Sequence, residues 1–225
     1  MTLTEYPELE QGSEEWLTAR LGIVTASVVG RLITPKTIKP CDNPDSRAVT
    51  AQLVAERITG WSDPTYVNAD MQRGNDCEPI ARDLYSRDHA TATELGFMVR
   101  QFDSGTRLGF SPDGLVGDDG LIEIKAPRAK AHLLTVLSDE VPIHHLPQIQ
   151  AGLLVSDREW CDFVSFYGGM GLFVKRVHRD ERWTDAITEA VEGFEIAATE
   201  MVADYGHKSQ ALAPTERIIE LEMSI

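Results

Sequence analysis

Three side chains in one short stretch offer chemistry: Asp113, Glu123 and Lys125. Asp113 stands between Pro112 and Gly114, residue types that make a turn, so it marks the end of a strand. Glu123 and Lys125 interrupt an otherwise apolar run, Leu121-Ile122-Glu123-Ile124-Lys125. Alternation in a strand sends both to one face together with Leu121, and Ile122 and Ile124 to the other, the expected core. A hairpin turning at Gly117-Asp118-Asp119-Gly120 brings Asp113 beside Glu123. Two carboxylates at one spot repel unless they are protonated or bridged by a cation. A hard, oxygen-seeking Mg²⁺ satisfies both and keeps positions open for water and phosphate oxygen. Lys125 on the same face can orient the attacking water or stabilise charge on phosphorus. The set suits metal-assisted phosphodiester hydrolysis. The plainer reading is an exposed hairpin with a Glu–Lys pair. A further acid, Glu78, follows Gly74 by four residues on an upstream helix.

The elements that must hold these residues are readable in outline. Ser13 opens a short helix with Trp16, Leu17 and Leu21 apolar, and Gly22 ends it. Thr25 reads as the N-cap of a second short helix through Leu32. Residues 34–46 are rich in Pro, Lys, Asn and Asp and read as a loop. Helices follow over Ser46–Thr59 and Gly74–Asp88, the latter with Ile80, Leu84 and Tyr85 on its apolar side. The period then shortens: strands are expected at 93–100, 107–111 and 121–125. Helices at 129–137 and 146–155, strands at 161–167 and 172–178, and a long acidic helix over 183–205 complete the chain. Ile187, Val191, Phe194 and Ala198 line one face of that last helix. This order describes an α/β fold, a mixed five-stranded sheet flanked by helices. We expect one domain over 1–225, with a helical N-terminal part (1–60), a core (61–180) and a C-terminal helix and tail (181–225).

Composition narrows the function classes. The 225 residues are 42% hydrophobic and 25% charged, which excludes a disordered or collagen-like chain. Cys41, Cys77 and Cys161 form no CxxC pair, which disfavours structural zinc and iron–sulfur clusters. Sparse cysteines, no signal peptide and no membrane-spanning run lead us to expect a cytoplasmic protein. The net charge of −15 argues against a nucleic-acid partner, but the acids gather at the two ends, leaving residues 16–179 at −2. Residues 20–47 hold Arg20, Arg31, Lys36, Lys39 and Arg47 against Asp42 and Asp45, so a local basic surface is open to the fold.

Asp113, nine residues, Glu123, one residue, Lys125 resembles the signature of the PD-(D/E)xK nucleases. Arg20-Leu21-Gly22-Ile23-Val24-Thr25-Ala26-Ser27 resembles the opening motif of the phage lambda-type exonucleases, the YqaJ-like viral recombinase group. Gly74-x-x-x-Glu78, Ser111-Pro112-Asp113-Gly114-Leu115, Glu123-Ile124-Lys125-Ala126-Pro127 and Gln148-Ile149-Gln150 are similar to further motifs of that group, in its order. The resemblance implies a restriction-endonuclease-like core and an exodeoxyribonuclease. The enzyme would degrade the 5′-ended strand of linear duplex DNA and leave 3′ overhangs for recombination. It implies Asp113, Glu123 and the main-chain carbonyl of Ile124 as metal ligands, and Lys125 as the catalytic lysine. Glu78 would join the site directly or through water. The ions would be Mg²⁺ or Mn²⁺, two per site. Arg20, Ser27, Ser111 and Gln150 would grip the 5′-phosphate of the DNA end. A homotrimer ring around the duplex and a single-strand annealing partner are also implied.

Each residue has an ordinary alternative. Arg20 pairs on the surface with Glu14, Glu15 or Glu56, or it binds phosphate as a planar fork. Ser27 caps a helix or donates to an anion. Gln148 and Gln150 cannot share a helix face, and motif position favours Gln150. Met71 is core or a wedge against the end base pair, and Lys36 is a solvated lysine or a DNA contact. His144-His145 and Cys77 read as structural. Two rivals to the exonuclease stand: an endonuclease of the same superfamily, and a non-catalytic DNA-end-binding protein.

Overall fold

A computed structural model describes residues 1–63 and 68–216. Residues 64–67 of the expected core and 217–225 of the expected tail lie outside the described residues. The chain runs β1 (Thr2–Tyr6), α1 (Glu14–Arg20), β2 (Val24–Thr25), α2 (Ala26–Val29), β3 (Ile33–Thr34), β4 (Lys39–Pro40), α3 (Pro44–Thr59) and α4 (Ala69–Asp88). It continues β5 (Ala92–Thr93), β6 (Phe97–Gln101), β7 (Arg107–Phe110), β8 (Gly114–Val116), β9 (Gly120–Lys125), α5 (Ala129–Ser138) and α6 (Leu146–Ser156). β10 (Trp160–Ser165), β11 (Phe173–His178) and α7 (Glu181–Lys208) close it.

The architecture is the expected mixed α/β, with the strands divided differently. The five-stranded sheet has the order β11-β10-β9-β8-β5, with β9 and β10 parallel and the other pairs antiparallel. β6 and β7 belong instead to a four-stranded sheet, β1-β6-β7-β2. β1 was not expected, because its burial is slight; it joins by backbone pairing with β6 along an edge, which leaves no apolar pattern. The loop expected over 34–46 holds the small β3–β4 hairpin, paired Ile33 to Pro40 and Thr34 to Lys39.

β9 is buried on both faces, which a single alternating pattern did not convey. Ile122 and Ile124 pack with Ala81 and Tyr85 of α4 and with Val164 of β10 in a smaller core. Leu121, on the Glu123 face, belongs to the main core, where α3, α6 and α7 contribute Leu53, Leu153, Ile187 and Phe194 against Phe110 and Phe163. Ile187, Val191, Phe194 and Ala198 of α7 are all buried, as the helical period predicts. On α4 the inward residues are Ala81 and Tyr85, while Ile80 is exposed, so that helix is rotated from the expected face.

α4 carries Glu78, and a polar latch fixes it. The Tyr85 hydroxyl donates to Asp162 Oδ2 of β10 at 2.7 Å. Arg176 of β11 donates to both Asp162 oxygens at 2.8 and 2.9 Å and lies 3.5 Å over the Trp160 ring. Losing one partner of a buried carboxylate held in this way would be costly.

Candidate active site

The β8–β9 hairpin sets the carboxylate pair. Gly114 stands opposite Ile122 and Leu115 opposite Leu121, so the antiparallel register carries Asp113 to the position beside Glu123. Gly114 is required there, since a Cβ would lie 2.9 Å from Ile122 Cδ1 and Cγ1. Asp113 Oδ2 accepts from the Ile124 N–H at 2.6 Å, which locks the carboxylate against the strand. Glu123 is 1% exposed, and Lys125 Nζ lies 2.5 Å from its Oε1. Oε1 meets only that ammonium, and Oε2 has no partner among the described residues. A buried carboxylate oxygen without a partner is costly unless something else occupies it.

The electrostatics follow from burial. Burial raises the Glu123 carboxyl to about 7 despite the attraction of Lys125, with Asp113 and Glu78 adding to the rise. Burial and the charge of Asp113 raise Glu78 to about 7 against the pull of Arg82 and Lys125. Asp113 is also raised by burial, opposed by Lys125, the Ile124 N–H and Arg82. Burial works against the Lys125 ammonium, but Glu123, Asp113 and Glu78 outweigh it and hold the group above the ordinary lysine range. His145 stacks on Phe163 with ring centroids 5.3 Å apart. Burial, His144 and Lys125 together lower it to about 3.

A second cluster adjoins the first through Ser111, two residues before Asp113. The Trp16 indole N–H donates to Ser111 Oγ at 2.9 Å, and the Arg20 guanidinium lies 3.7 Å over the Trp16 ring. Arg20 Nη2 reaches Thr25 Oγ1 at 3.4 Å and Ser27 Oγ at 3.5 Å, and those hydroxyls are 3.0 Å apart. Arg20 makes no ion pair among the described residues, so the expected surface pairing with Glu14, Glu15 or Glu56 is not what holds it. Burial lowers it to about 10, with Glu56 opposing. The turn at Gly22 sets its direction. Gly22 has φ +63°, and a Cβ there would lie 2.4 Å from Arg57 Cγ. Glu56 Oε2 accepts its N–H at 2.9 Å, and Arg57 Nε donates to its carbonyl at 2.6 Å.

The structure thus brings Arg20, Ser27 and Ser111 together, but not Gln150. Gln150 is 3% exposed; its Nε2 donates to the His178 carbonyl at 2.8 Å and its Oε1 accepts from Asp180 N–H at 3.0 Å. Both ends of its amide bond to the β11–α7 junction rather than to that cluster. Met71 is 43% exposed on the first turn of α4, so it is not core. Lys36 is exposed at the β3–β4 turn. Two of the five bases over 20–47 are neutralised: Arg31 pairs with Asp45 at 2.7 Å and Arg47 with Asp42 at 2.6 Å.

Sequence reasoning missed Trp16, Thr25 and Arg82. Trp16 precedes Arg20 by one helical turn, and Arg82 follows Glu78 by one, so i,i+4 spacing was the available signal. Arg82 Nη2 donates to Glu78 Oε1 at 2.5 Å and its Nε to the Asp113 carbonyl at 2.6 Å. Its third contact is with Glu94. A cleft of about 670 Å³ opens between residues 7–12, Trp16 and the α4 wall that carries Glu78 and Arg82. Among the described residues no cluster of three or more His, Cys, Asp and Glu side chains is arranged to hold a metal ion.

A mixed sheet flanked by helices, with two acids and a lysine at the end of its central hairpin, defines the restriction-endonuclease-like class of α/β fold. Residues 15–159 match the YqaJ-like viral recombinase domain, and the chain belongs to that family. Among solved structures it is similar to an alkaline exonuclease, LHK-Exo, from Laribacter hongkongensis, also solved in complex with dAMP. The identity is 34% and the TM-score 0.78, over 89% of this chain and 100% of that one. A phage-related exonuclease from Haemophilus somnus 129PT shares the fold, at 14% identity and a TM-score of 0.58, over 81% of this chain and 96% of that one. No curated protein matches. No helix among the described residues is long and apolar enough to cross a membrane.

Proposed function

We propose that the chain is a Mg²⁺-dependent exodeoxyribonuclease. It degrades the 5′-ended strand of linear duplex DNA and leaves a 3′ overhang for annealing-type recombination. The observation that carries this reading is Glu123, buried beside Asp113 with Oε1 on the Lys125 ammonium and Oε2 without a partner among the described residues. The donor set fits a hard divalent cation: two carboxylates and a main-chain carbonyl, with no sulfur or imidazole. Asp113, Glu123 and the Ile124 carbonyl would hold it, and Glu78 would serve a second ion. Bound there, the cation supplies Lewis acidity toward the phosphate and lowers the pKa of water.

The chain's own groups do the rest. Lys125, held protonated by its carboxylate neighbours, faces the reacting phosphate and stabilises charge gathering on its oxygens. Arg20, stacked on Trp16 and flanked by Thr25, Ser27 and Ser111, presents a cation and hydroxyl donors to a terminal 5′-phosphate. Placing that pocket next to Asp113 makes a chain end the preferred substrate. The dAMP bound to LHK-Exo supports a mononucleotide product. Manganese would substitute for magnesium, since the same hard oxygen donors suit it.

We further propose a homotrimeric ring around the duplex. α5 supports an association surface, because its buried positions are His132 and Thr135 while Leu133, Leu134, Val136 and Leu137 are exposed. His132 is buried, bonded to Ser165 Oγ at 2.9 Å and to the Gly171 carbonyl at 3.0 Å. That turns Leu134 and Leu137 outward, at 56% and 72% exposure. A single-strand annealing protein would take the overhang, and we place the enzyme in the cytoplasm with that partner. The test uses purified protein, Mg²⁺ and three duplexes: linear with a 5′-phosphate, linear with a 5′-hydroxyl, and covalently closed circular. Nucleotides should leave the linear forms, faster with the phosphate, while the circle stays intact. Linearised circles would establish an endonuclease instead, and binding without digestion an end-binding protein.

A further inference from the structure

Of the three acids assigned to the site, Glu78, Asp113 and Glu123, Lys125 forms its ion pair with Glu123. The second buried positive charge is Arg82, whose side chain is 11% exposed. Its fork reaches three elements. Nη2 donates to Glu78 Oε1 at 2.5 Å, Nε donates to the Asp113 main-chain carbonyl at 2.6 Å, and Nη1 pairs with Glu94. Glu94 is 73% exposed and already solvated, so the contact of consequence is the one to Glu78, whose side chain is 28% exposed.

We propose that Arg82 is an internal counter-cation and positioning residue. It holds Glu78 in reserve while the site is metal-free, and yields that carboxylate when a divalent ion arrives. The inference rests on the metal-dependent reading given under Proposed function. A guanidinium cannot lose its proton at working pH, so an incoming dication must compete with a permanent charge for Glu78. The same side chain anchors the Asp113 carbonyl and so fixes the turn that aims the Asp113 carboxylate. Removing the charge should therefore tighten ion binding and at the same time slow cleavage. A merely structural residue would weaken both when removed.

The experiment titrates metal-free protein with Mn²⁺, reading free ion by electron paramagnetic resonance, alongside cleavage of a 5′-phosphorylated linear duplex. Arg82→Gln should bind Mn²⁺ at least about fivefold more tightly than wild type, because a nearby like charge is gone. Its cleavage should fall by about tenfold or more through loss of positioning. Arg82→Lys keeps the charge and should bind within about twofold of wild type. In a Glu78→Gln background the gain from Arg82→Gln should be mostly lost. Equal or weaker binding by Arg82→Gln, or an undiminished gain in the Glu78→Gln background, would overturn the proposal while leaving the metal site standing. Wild-type protein that takes up no Mn²⁺ would overturn the metal reading and this proposal with it. Should Arg82→Gln fail to fold in chelator, the charge-balanced Glu78→Gln/Arg82→Gln protein must fold, and its failure would also overturn the proposal.

Discussion

Replacing Glu123 with Gln keeps the shape of a fully buried side chain and removes its charge. In metal-free protein this should stabilise the fold above neutral pH. Burial moves the Glu123 titration from 4.5 to about 7. Between those values the folded chain holds a proton that the unfolded chain has released, so stability falls as pH rises, and the loss is complete above about 7. At about 1.4 kcal/mol per pH unit, the full penalty is about 3 kcal/mol. The ion pair with Lys125 is already inside that figure, because its attraction is one of the opposing causes. The assay is urea unfolding of wild type and Glu123→Gln in chelator at pH 5 and pH 8. The two proteins should nearly coincide at the lower pH. At the higher pH the variant should be more stable by about 2–3 kcal/mol, a midpoint shift on the order of 1 M urea. Saturating Mg²⁺ should reverse the order, since an ion at a thousand times its dissociation constant adds about 4.1 kcal/mol to the protein that binds it. A variant no more stable than wild type at pH 8 in chelator would refute the reasoning, because the buried charge would then carry no penalty.

The remaining predictions address separate parts of the account. Asp113→Ala and Lys125→Ala should each reduce cleavage by at least about a thousandfold while keeping the wild-type circular dichroism spectrum, as expected for groups acting at the reacting atoms. Near wild-type rates for Lys125→Ala would remove it from the mechanism. Arg20→Ala should erode the preference for 5′-phosphorylated over 5′-hydroxyl ends, measured as a ratio of kcat/KM values; an unchanged ratio places the phosphate elsewhere. Tyr85→Phe removes one donor from buried Asp162 and should cost about 1–2 kcal/mol in thermal unfolding. Leu134→Glu/Leu137→Glu should shift the protein to monomer in sedimentation while leaving the monomer folded, and an unshifted oligomer assigns the interface to another face.

Much of the site was legible because its signals are local. Period-two alternation around Ile122 and Ile124, with a Pro–Gly turn at Asp113, specifies a hairpin, and a hairpin has one register. The buried face of α7 was equally plain, since Ile187, Val191, Phe194 and Ala198 hold helical spacing through a solvated acidic helix. What stayed hidden depends on which surface a residue meets. β1 pairs through its backbone, which no side-chain pattern reports. α4 starts at Ala69, before Gly74, because Asn68 caps it through bonds to the Asp70 and Met71 N–H groups, and Gly74 and Pro79 obscure the period. Gln150 had the right type at the right motif position, but its direction follows from how α6 lies against the β11–α7 junction. α5 shows the limit most sharply, since a pattern of leucines normally marks the inward face, and here His132 and Thr135 take it.

The central claim is that Asp113, Glu123 and Lys125 hydrolyse the terminal 5′-phosphodiester of a duplex end. Its most direct test uses a duplex closed by a hairpin at one end and open at the other, with a 5′-phosphate at the open end. Labels are placed in turn on the terminal 5′ and 3′ nucleotides, and products are separated after incubation with Mg²⁺. The account predicts that the 5′ label leaves as a mononucleotide while the 3′ label stays in a long strand, and that Asp113→Asn releases neither. Release of the 3′ label first, internal cutting of either strand, or undiminished activity in Asp113→Asn would contradict it.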